Sequence, residues 1–238
     1  MHMPMRFEEL TKEWVGEALS RDREPIALES MEELQVLHGA ATKIRVRLEY
    51  ADGKGGGLPE TMWVKIGFEP HHDYVEATLG AYSAEAMAYN EIIPMYDLNT
   101  PKSYFADAQA SPAQGVVLLE DLLVRDVRFN IVTTPLSPAE VAAGLESLAR
   151  QHGQSWNDPR LKEISALNLP LRGPMQRVFE DFVEDSEQYF HAPRGYAVPI
   201  ALHEKSRLAA GLKAYMAQVA EGPECLLHAD THVGNTFR

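Results

Sequence analysis

The clearest pattern in the first half of the chain is strict alternation. Ile44, Val46, Leu48 and Tyr50 alternate with Lys43, Arg45, Arg47 and Glu49, the period of two expected of a half-buried strand. Leu34 to His38 reads as a preceding strand, joined to it through Gly39-Ala-Ala-Thr42. The run Asp52 to Gly57 is a flexible turn, and Thr61 to Phe68, following Pro59, reads as the returning strand. Together these segments predict an antiparallel meander. Ahead of it, Thr11 is a candidate N-cap for a short helix with Trp14, Val15, Ala18 and Leu19 on its apolar side.

The period then lengthens. Tyr82, Glu85 or Ala86, Tyr89 and Ile92 or Ile93 recur at three- and four-residue spacing, predicting a helix over Tyr74 to Ile93. Two further strands follow, Lys102 to Ala108 and Val116 to Leu122, with a turn at Ser111-Pro112. Beyond Arg125 helical spacing dominates. Ser137-Pro-Ala-Glu140 is a capping box with Pro at the first helical position. Its helix carries Val141, Leu145, Leu148, His152 and Trp156 on one face, and Gly153 interrupts it near its end. His152 and Trp156, adjacent on that face, are read as packing residues. Met175 to Phe190 and Ile200 to Val219 are two more amphipathic helices, the last stopped at Gly222-Pro223. Leu226 and Leu227 then fit a short buried strand, with a loop over Thr231 to Gly234. The fold class is α+β, an antiparallel sheet with a helix over residues 1–121 and a mostly helical part over 122–238.

Composition narrows the classes of partner. The 238 residues carry a formal charge of −13, which argues against sequence-blind binding to nucleic acid, where Lys and Arg must neutralise phosphates, and against docking on anionic membranes. No apolar run approaches the ~20 residues that span a bilayer, and the N-terminus lacks the basic-then-apolar pattern of a signal peptide. Cys225 is the only cysteine, so no intrachain disulfide can form and a reducing cytoplasm is the expected location.

Three features carry candidate chemistry. Lys65 sits between Val64 and Ile66 in a strand otherwise apolar. A lysine there either snorkels from the solvent face or holds phosphates while paired with a carboxylate. Glu85, on the apolar stripe of the following helix, is the expected partner, ahead of Glu76 and Glu91. The apolar run Val116 to Leu119 then ends at Glu120-Asp121-Leu122. Last, Asp230 and Asn235 lie five residues apart on one tight loop. That spacing suits phosphoryl transfer, because the Asp can accept a proton from an attacking hydroxyl while the Asn oxygen ligates Mg²⁺. The bland alternative for His228-x-Asp230 is a capped strand end.

The string His228-Ala-Asp230-Thr-His-Val-Gly-Asn235 resembles the catalytic loop of the aminoglycoside phosphotransferase and choline kinase group within the protein-kinase-like fold. AEAMAYNEIIP, LLEDL and LARQHGQSW resemble other segments of that family, and LLEDL, the helix ending HGQSW and HADTHVGN together look nearest the branch that includes ecdysteroid-kinase-like proteins. From about Leu34 onward the elements follow the family's order. The resemblance implies a two-lobe fold, Mg²⁺ and ATP as cofactors, and direct transfer of the γ-phosphoryl to the hydroxyl of a small molecule. It implies Asp230 as the catalytic residue, Lys65 and Glu85 at the phosphates, a hinge near Glu120 and Leu122 for the adenine edge, and Asn235 at the metal. His228 would brace the loop. Aminoglycosides, choline-like amines, sugars, sterols and acyl-carrying alcohols all fit as acceptors, and the acidic residues Glu180, Asp181, Glu184, Asp185 and Glu187 would suit a polyamine.

Two departures stand against the family pattern. Gly39 is the only glycine between Leu34 and Tyr50, where a glycine-rich phosphate loop is usual. The family's second metal-binding Asp lies downstream of the Asn, and the sequence stops at Arg238 before reaching one. The expectation is therefore a fragment, itself inactive or nearly so. Two other classes remain open. On an extended strand His228, Asp230 and His232 would share a face, as in a Zn²⁺ or Fe²⁺ hydrolase or oxygenase, with further ligands from His71, His72 or His191. A kinase-like module that binds nucleotide without turnover is the other.

Overall fold

The computed structural model describes residues 1–51, 53, 55–68, 72, 75–76, 80–164 and 174–238. Five strands form one antiparallel sheet: β1 (Leu28–Leu37), β2 (Thr42–Tyr50), β3 (Thr61–Ile66), β4 (Ser103–Ala110) and β5 (Ala113–Glu120), in the spatial order β1-β2-β3-β5-β4. The meander is β1-β2-β3, and the hairpin β4-β5, turning at Ser111-Pro112, adds to it through β5. With the helices this makes an α+β architecture, as the change of period predicts. β1 begins at Leu28, well ahead of the expected Leu34.

Alternation divides the sheet into two faces. Ile44, Val46, Leu48, Met62, Val64, Ile66, Val116 and Leu118 form the buried core. Helix α1 (Lys12–Ser20) adds Trp14, Val15, Ala18 and Leu19 to that core, and its Thr11 cap accepts from the Trp14 N–H at 3.2 Å. The buried Gln114 amide holds the N-terminal segment to β3, donating to the carbonyls of Pro4 at 3.0 Å and Gly67 at 2.8 Å.

The other face carries a second cluster, in which Ala86 of helix α2 (Ala81–Met87) packs with Ala106 and Val117. The continuous helix expected over 74–93 is broken. Gly80 takes a left-handed conformation, φ 58°, ahead of α2, a geometry natural to glycine. Buried Glu76 caps the new start, accepting from the N–H groups of Tyr82 at 2.8 Å and Ser83 at 3.2 Å. After Met87 the turn widens into a π-helical segment, Ala88–Ile92. Tyr74, the expected first residue, lies outside the described residues.

Helix α3 (Pro138–Gln154) starts at the predicted capping box, Ser137 and Glu140 bonding reciprocally. It runs through Gly153. Trp156 is 55% exposed, so its expected packing role is not met, whereas His152 is half-buried. The predicted helix over 175–190 divides into α4 (Pro174–Glu184) and α5 (Ser186–Phe190), and α6 (Lys205–Ala220) follows a single 3-10 turn at Ile200–Leu202. Among the described residues, no helix is long and apolar enough to cross a membrane.

The chain forms two compact units. One comprises residues 1–156 with 225–238, and the other residues 157–224. The sequence-based boundary after Asp121 falls inside the first unit. Within the second, the Asn157 N–H donates to Glu224 O at 2.7 Å and the Glu224 N–H to Asn157 Oδ1 at 3.0 Å.

Candidate functional site

The site begins from register. Lys65 pairs with Lys43 on β2 and with Val117 on β5, and Val117 pairs with Ala106 on β4. Directly opposed residues of antiparallel strands share a face, so Lys43, Lys65, Val117 and Ala106 form one row across the sheet, away from the main core. α2 packs over the Val117–Ala106 end of that row. Its Glu85 reaches the lysine beside them, with Lys65 Nζ 2.7 Å from Oε1 and 2.6 Å from Oε2. Tyr89, one turn on, is packed beside this pair, and burial together with the Glu85 charge raises its phenol well above the usual tyrosine range.

Glycine makes the approach of α2 feasible. A Cβ on Gly115 would lie 2.1 Å from Tyr82 O and 2.6 Å from Ser83 N, and one on Gly67 would lie 1.9 Å from the Tyr82 ring. Gly115 in β5 and Gly67 just past the end of β3 therefore seat the first turn of the helix that carries Glu85. The Tyr82 hydroxyl donates to Ala40 O, tying α2 to the β1–β2 turn. Burial pushes the Tyr82 phenol up to about 12, with the Glu76 charge adding to it.

β5 leads from Val117 to Glu120 and Leu122. Glu120 is ion-paired with Arg125 at 2.9 Å and accepts from the Lys102 N–H at 3.2 Å. Burial works to raise its pKa, but Arg125 and the Lys102 N–H outweigh that and hold it below the ordinary value. Leu122 is buried and opens a 3-10 turn, Leu122–Arg125. The adjacent Asp121 is the better-anchored acid. It is 1% exposed, and its Oδ2 accepts from Arg45 Nε and Nη2, both at 2.8 Å. Oδ1 accepts from Trp63 Nε1 and the Leu123 N–H, each at 3.2 Å. Burial disfavours its charge, yet Arg45, Thr61 and the Leu123 N–H still hold the carboxyl below its ordinary range. One carboxylate thus ties β2, β3 and the end of β5 together.

Asp230 and Asn235 are also brought together. Asn235 Nδ2 donates to Asp230 O at 3.0 Å and to Asp230 Oδ2 at 2.9 Å. With both Nδ2 hydrogens engaged on Asp230, a cation approaching this amide would meet Oδ1. The loop is held at both ends. Phe129 and Phe237 form a β-bridge, flanked by Arg128 N–H to Arg238 O at 2.7 Å and Asn130 N–H to Thr236 O at 3.1 Å.

At the other end the expected Leu226–Leu227 strand is absent. Leu226 is buried, but its N–H donates to Ser155 Oγ at 2.9 Å and its carbonyl accepts from Gln151 Nε2 at 3.2 Å. Side chains from the end of α3 thus take the place of a neighbouring strand, and Leu227 is 48% exposed. Among the described residues, no hydrogen bond or ion pair links the Asp230–Asn235 pair to the Lys65–Glu85 pair.

The premise of a histidine-rich metal site is also unmet. Ala229 is left-handed, φ 67°, and Val233–Asn235 is a 3-10 turn, so residues 228, 230 and 232 do not alternate on a strand. His228 Nδ1 accepts from the Asp230 N–H at 3.3 Å, and His232 Nδ1 from the Gly234 N–H at 3.0 Å. Among the described residues, no group of three or more His, Cys, Asp or Glu is placed to hold a metal ion. His72 instead meets Ala113 O at 2.9 Å and stacks on Tyr82. His71 lies outside the described residues.

Asp121 lies within the LLEDL string without a role of its own there, and Lys43, Arg45 and Trp63 escape a reading of the sequence by family motif. Their signal was the alternation in β2 and β3, which puts Lys43, Arg45, Trp63 and Lys65 on one face. The second unit holds a separate cavity of about 430 Å³, lined by Phe179, Phe182, Leu208, Leu212 and Tyr215 with Arg207 as its charged residue. Comparison with family models, curated proteins and solved structures returns no match.

Proposed function

We propose that this protein is an ATP-dependent small-molecule kinase of the protein-kinase-like fold, related to the aminoglycoside phosphotransferases and choline kinases and nearest the ecdysteroid-kinase-like branch. It would move the γ-phosphoryl of ATP to a hydroxyl. The observation that carries the reading is the Lys65–Glu85 ion pair, the contact between strand and following helix that the family resemblance implies. In that fold's two-lobe arrangement, residues 1–121 would form the nucleotide lobe and 122–238 the helical lobe.

The residues present fit the cofactor. Glu85 fixes the Lys65 ammonium beside the sheet, where it can hold phosphate oxygens. Backbone groups near Glu120 and Leu122, at the end of the strand beside Lys65, would take the adenine edge. Trp63, on the same face and held through its indole N–H by Asp121, offers a flat surface on which a base can stack. Mg²⁺ would neutralise phosphate charge, with Asn235 Oδ1 as one ligand. Asp230, its side chain 73% exposed, would orient the acceptor hydroxyl and take its proton. His228 braces the loop through its bond from the Asp230 N–H.

Titration calorimetry of the 238-residue chain with Mg·ATP tests this directly. Binding is expected in the wild type, weakened about tenfold or more in Lys65→Met and retained in Asp230→Asn. Wild-type protein that binds no Mg·ATP, or a Lys65→Met variant that binds it as well as wild type, would overturn the proposal.

A further inference from the structure

We infer that Lys43 is a second phosphate-binding cation of the Lys65–Glu85 site, gripping the same polyphosphate from the neighbouring strand. The inference rests on the nucleotide reading above. Lys43 and Lys65 are directly opposed in the β2–β3 ladder, an arrangement that places two ammonium groups side by side and disfavours the sheet. Glu85 engages Lys65 through both carboxylate oxygens. Among the described residues, no carboxylate lies within ion-pair distance of Lys43. The next cation along β2 on this face, Arg45, is committed to Asp121. One carboxylate thus faces two lysines, leaving a net positive charge.

Lys43 is exposed on this face of the sheet, so its ammonium is open to a ligand arriving from solvent. Leu37, itself 44% exposed, pairs with Lys43 on one side and the buried Val117 with Lys65 on the other. Desolvation, and then the Lys65 charge, pull the Lys43 ammonium below the ordinary lysine range, with Glu85 offsetting part of the effect. An anion between the two lysines would offset their mutual repulsion. The β1–β2 turn just before Lys43 is held at Ala40 by the Tyr82 hydroxyl, which fixes the strand end that presents this side chain. Gly39 is the one glycine of that turn, and a charged side chain beside it supplies a grip that a glycine-rich loop would provide through backbone N–H groups.

Calorimetric titrations with Mg·ATP and with adenosine on the wild type, Lys43→Met, Lys43→Gln and Lys65→Met test the assignment. Both Lys43 variants are expected to weaken Mg·ATP binding about tenfold, to leave adenosine binding unchanged, and to melt at or above the wild-type temperature because a like-charge contact is removed. Lys43 variants that bind Mg·ATP within about twofold of wild type, while Lys65→Met loses it, would overturn the role of Lys43 and leave the nucleotide reading standing. Equal losses for Mg·ATP and adenosine would mean a general disturbance of the face and would also overturn it. Wild-type protein that binds neither would overturn the reading beneath it.

Discussion

Among individual residues, the most consequential charge outside the proposed chemistry is Asp121. Removing one member of a buried ion pair strands the other, at about 3–5 kcal/mol when both are fully buried. Arg45 keeps 25% side-chain exposure, so Asp121→Ala is expected near the lower end, about 3 kcal/mol, measured as a fall in the urea midpoint at pH 7. The sign of the pH dependence follows from the depressed folded pKa. Its contribution is present above the unfolded value of about 3.9 and is lost as pH falls through the lower folded value. The wild type should therefore lose stability on acidification below about pH 4 more steeply than Asp121→Ala.

Lys65–Glu85 is a different case. Its side chains are 27% and 28% exposed, and such a pair contributes little to folding, about 1 kcal/mol or less. Glu85→Gln should leave the melting temperature nearly unchanged while weakening Mg·ATP binding. The separation of those two readouts distinguishes a residue that serves a ligand from one that serves the fold.

Gly115→Ala puts a methyl against the backbone of Tyr82 and Ser83, where no side-chain rotation can give way. Overpacking of this kind costs about 1–3 kcal/mol, and displacement of α2 should carry Glu85 away from Lys65, so stability and nucleotide affinity should fall together in denaturation and calorimetry. Ser155→Ala leaves the buried Leu226 N–H without its acceptor, at about 1–3 kcal/mol, read by the urea midpoint.

The strands were legible because a period of two survives in any half-buried sheet, and β2 and β3 show it without interruption. The chain around Leu226 was misread for a physical reason. Two leucines announce burial, but not whether a ladder or a pair of side chains satisfies the backbone between them. Ser155 and Gln151 do so from about 70 residues away in sequence. Helix α2 was located by its apolar stripe, and Glu85 with it. Its break at Gly80 was hidden because a lone glycine in a helical pattern is compatible with continuation as well as with a stop. Lys43 was passed over because an alternating strand assigns its polar residues to solvent by default, whereas a neighbouring strand had put a second cation beside it.

For the whole molecule, the first unit is discontinuous in sequence, closed by residues 225–238 after an excursion through 157–224. A pattern of periods along the chain cannot reveal this, because it records each element and not which distant segment completes it. The division predicts two cooperative opening units in native-state hydrogen exchange. Amides in α6 should exchange together with those of α4, and amides in β2, β3 and β5 as a separate set. A single shared opening free energy across both sets would contradict it. The charge of −13 predicts no retention on heparin or on anionic vesicles at physiological salt.

The reciprocal hydrogen bonds between Asn157 and Glu224 place the exit and the return of the excursion side by side. A cassette with neighbouring ends can be lengthened, shortened or exchanged with little penalty to its host, since the entropy of closing a loop grows only with the logarithm of its length. The helices at 174–220 are therefore free to diverge while the strands that carry residues 43 and 65 stay as they are.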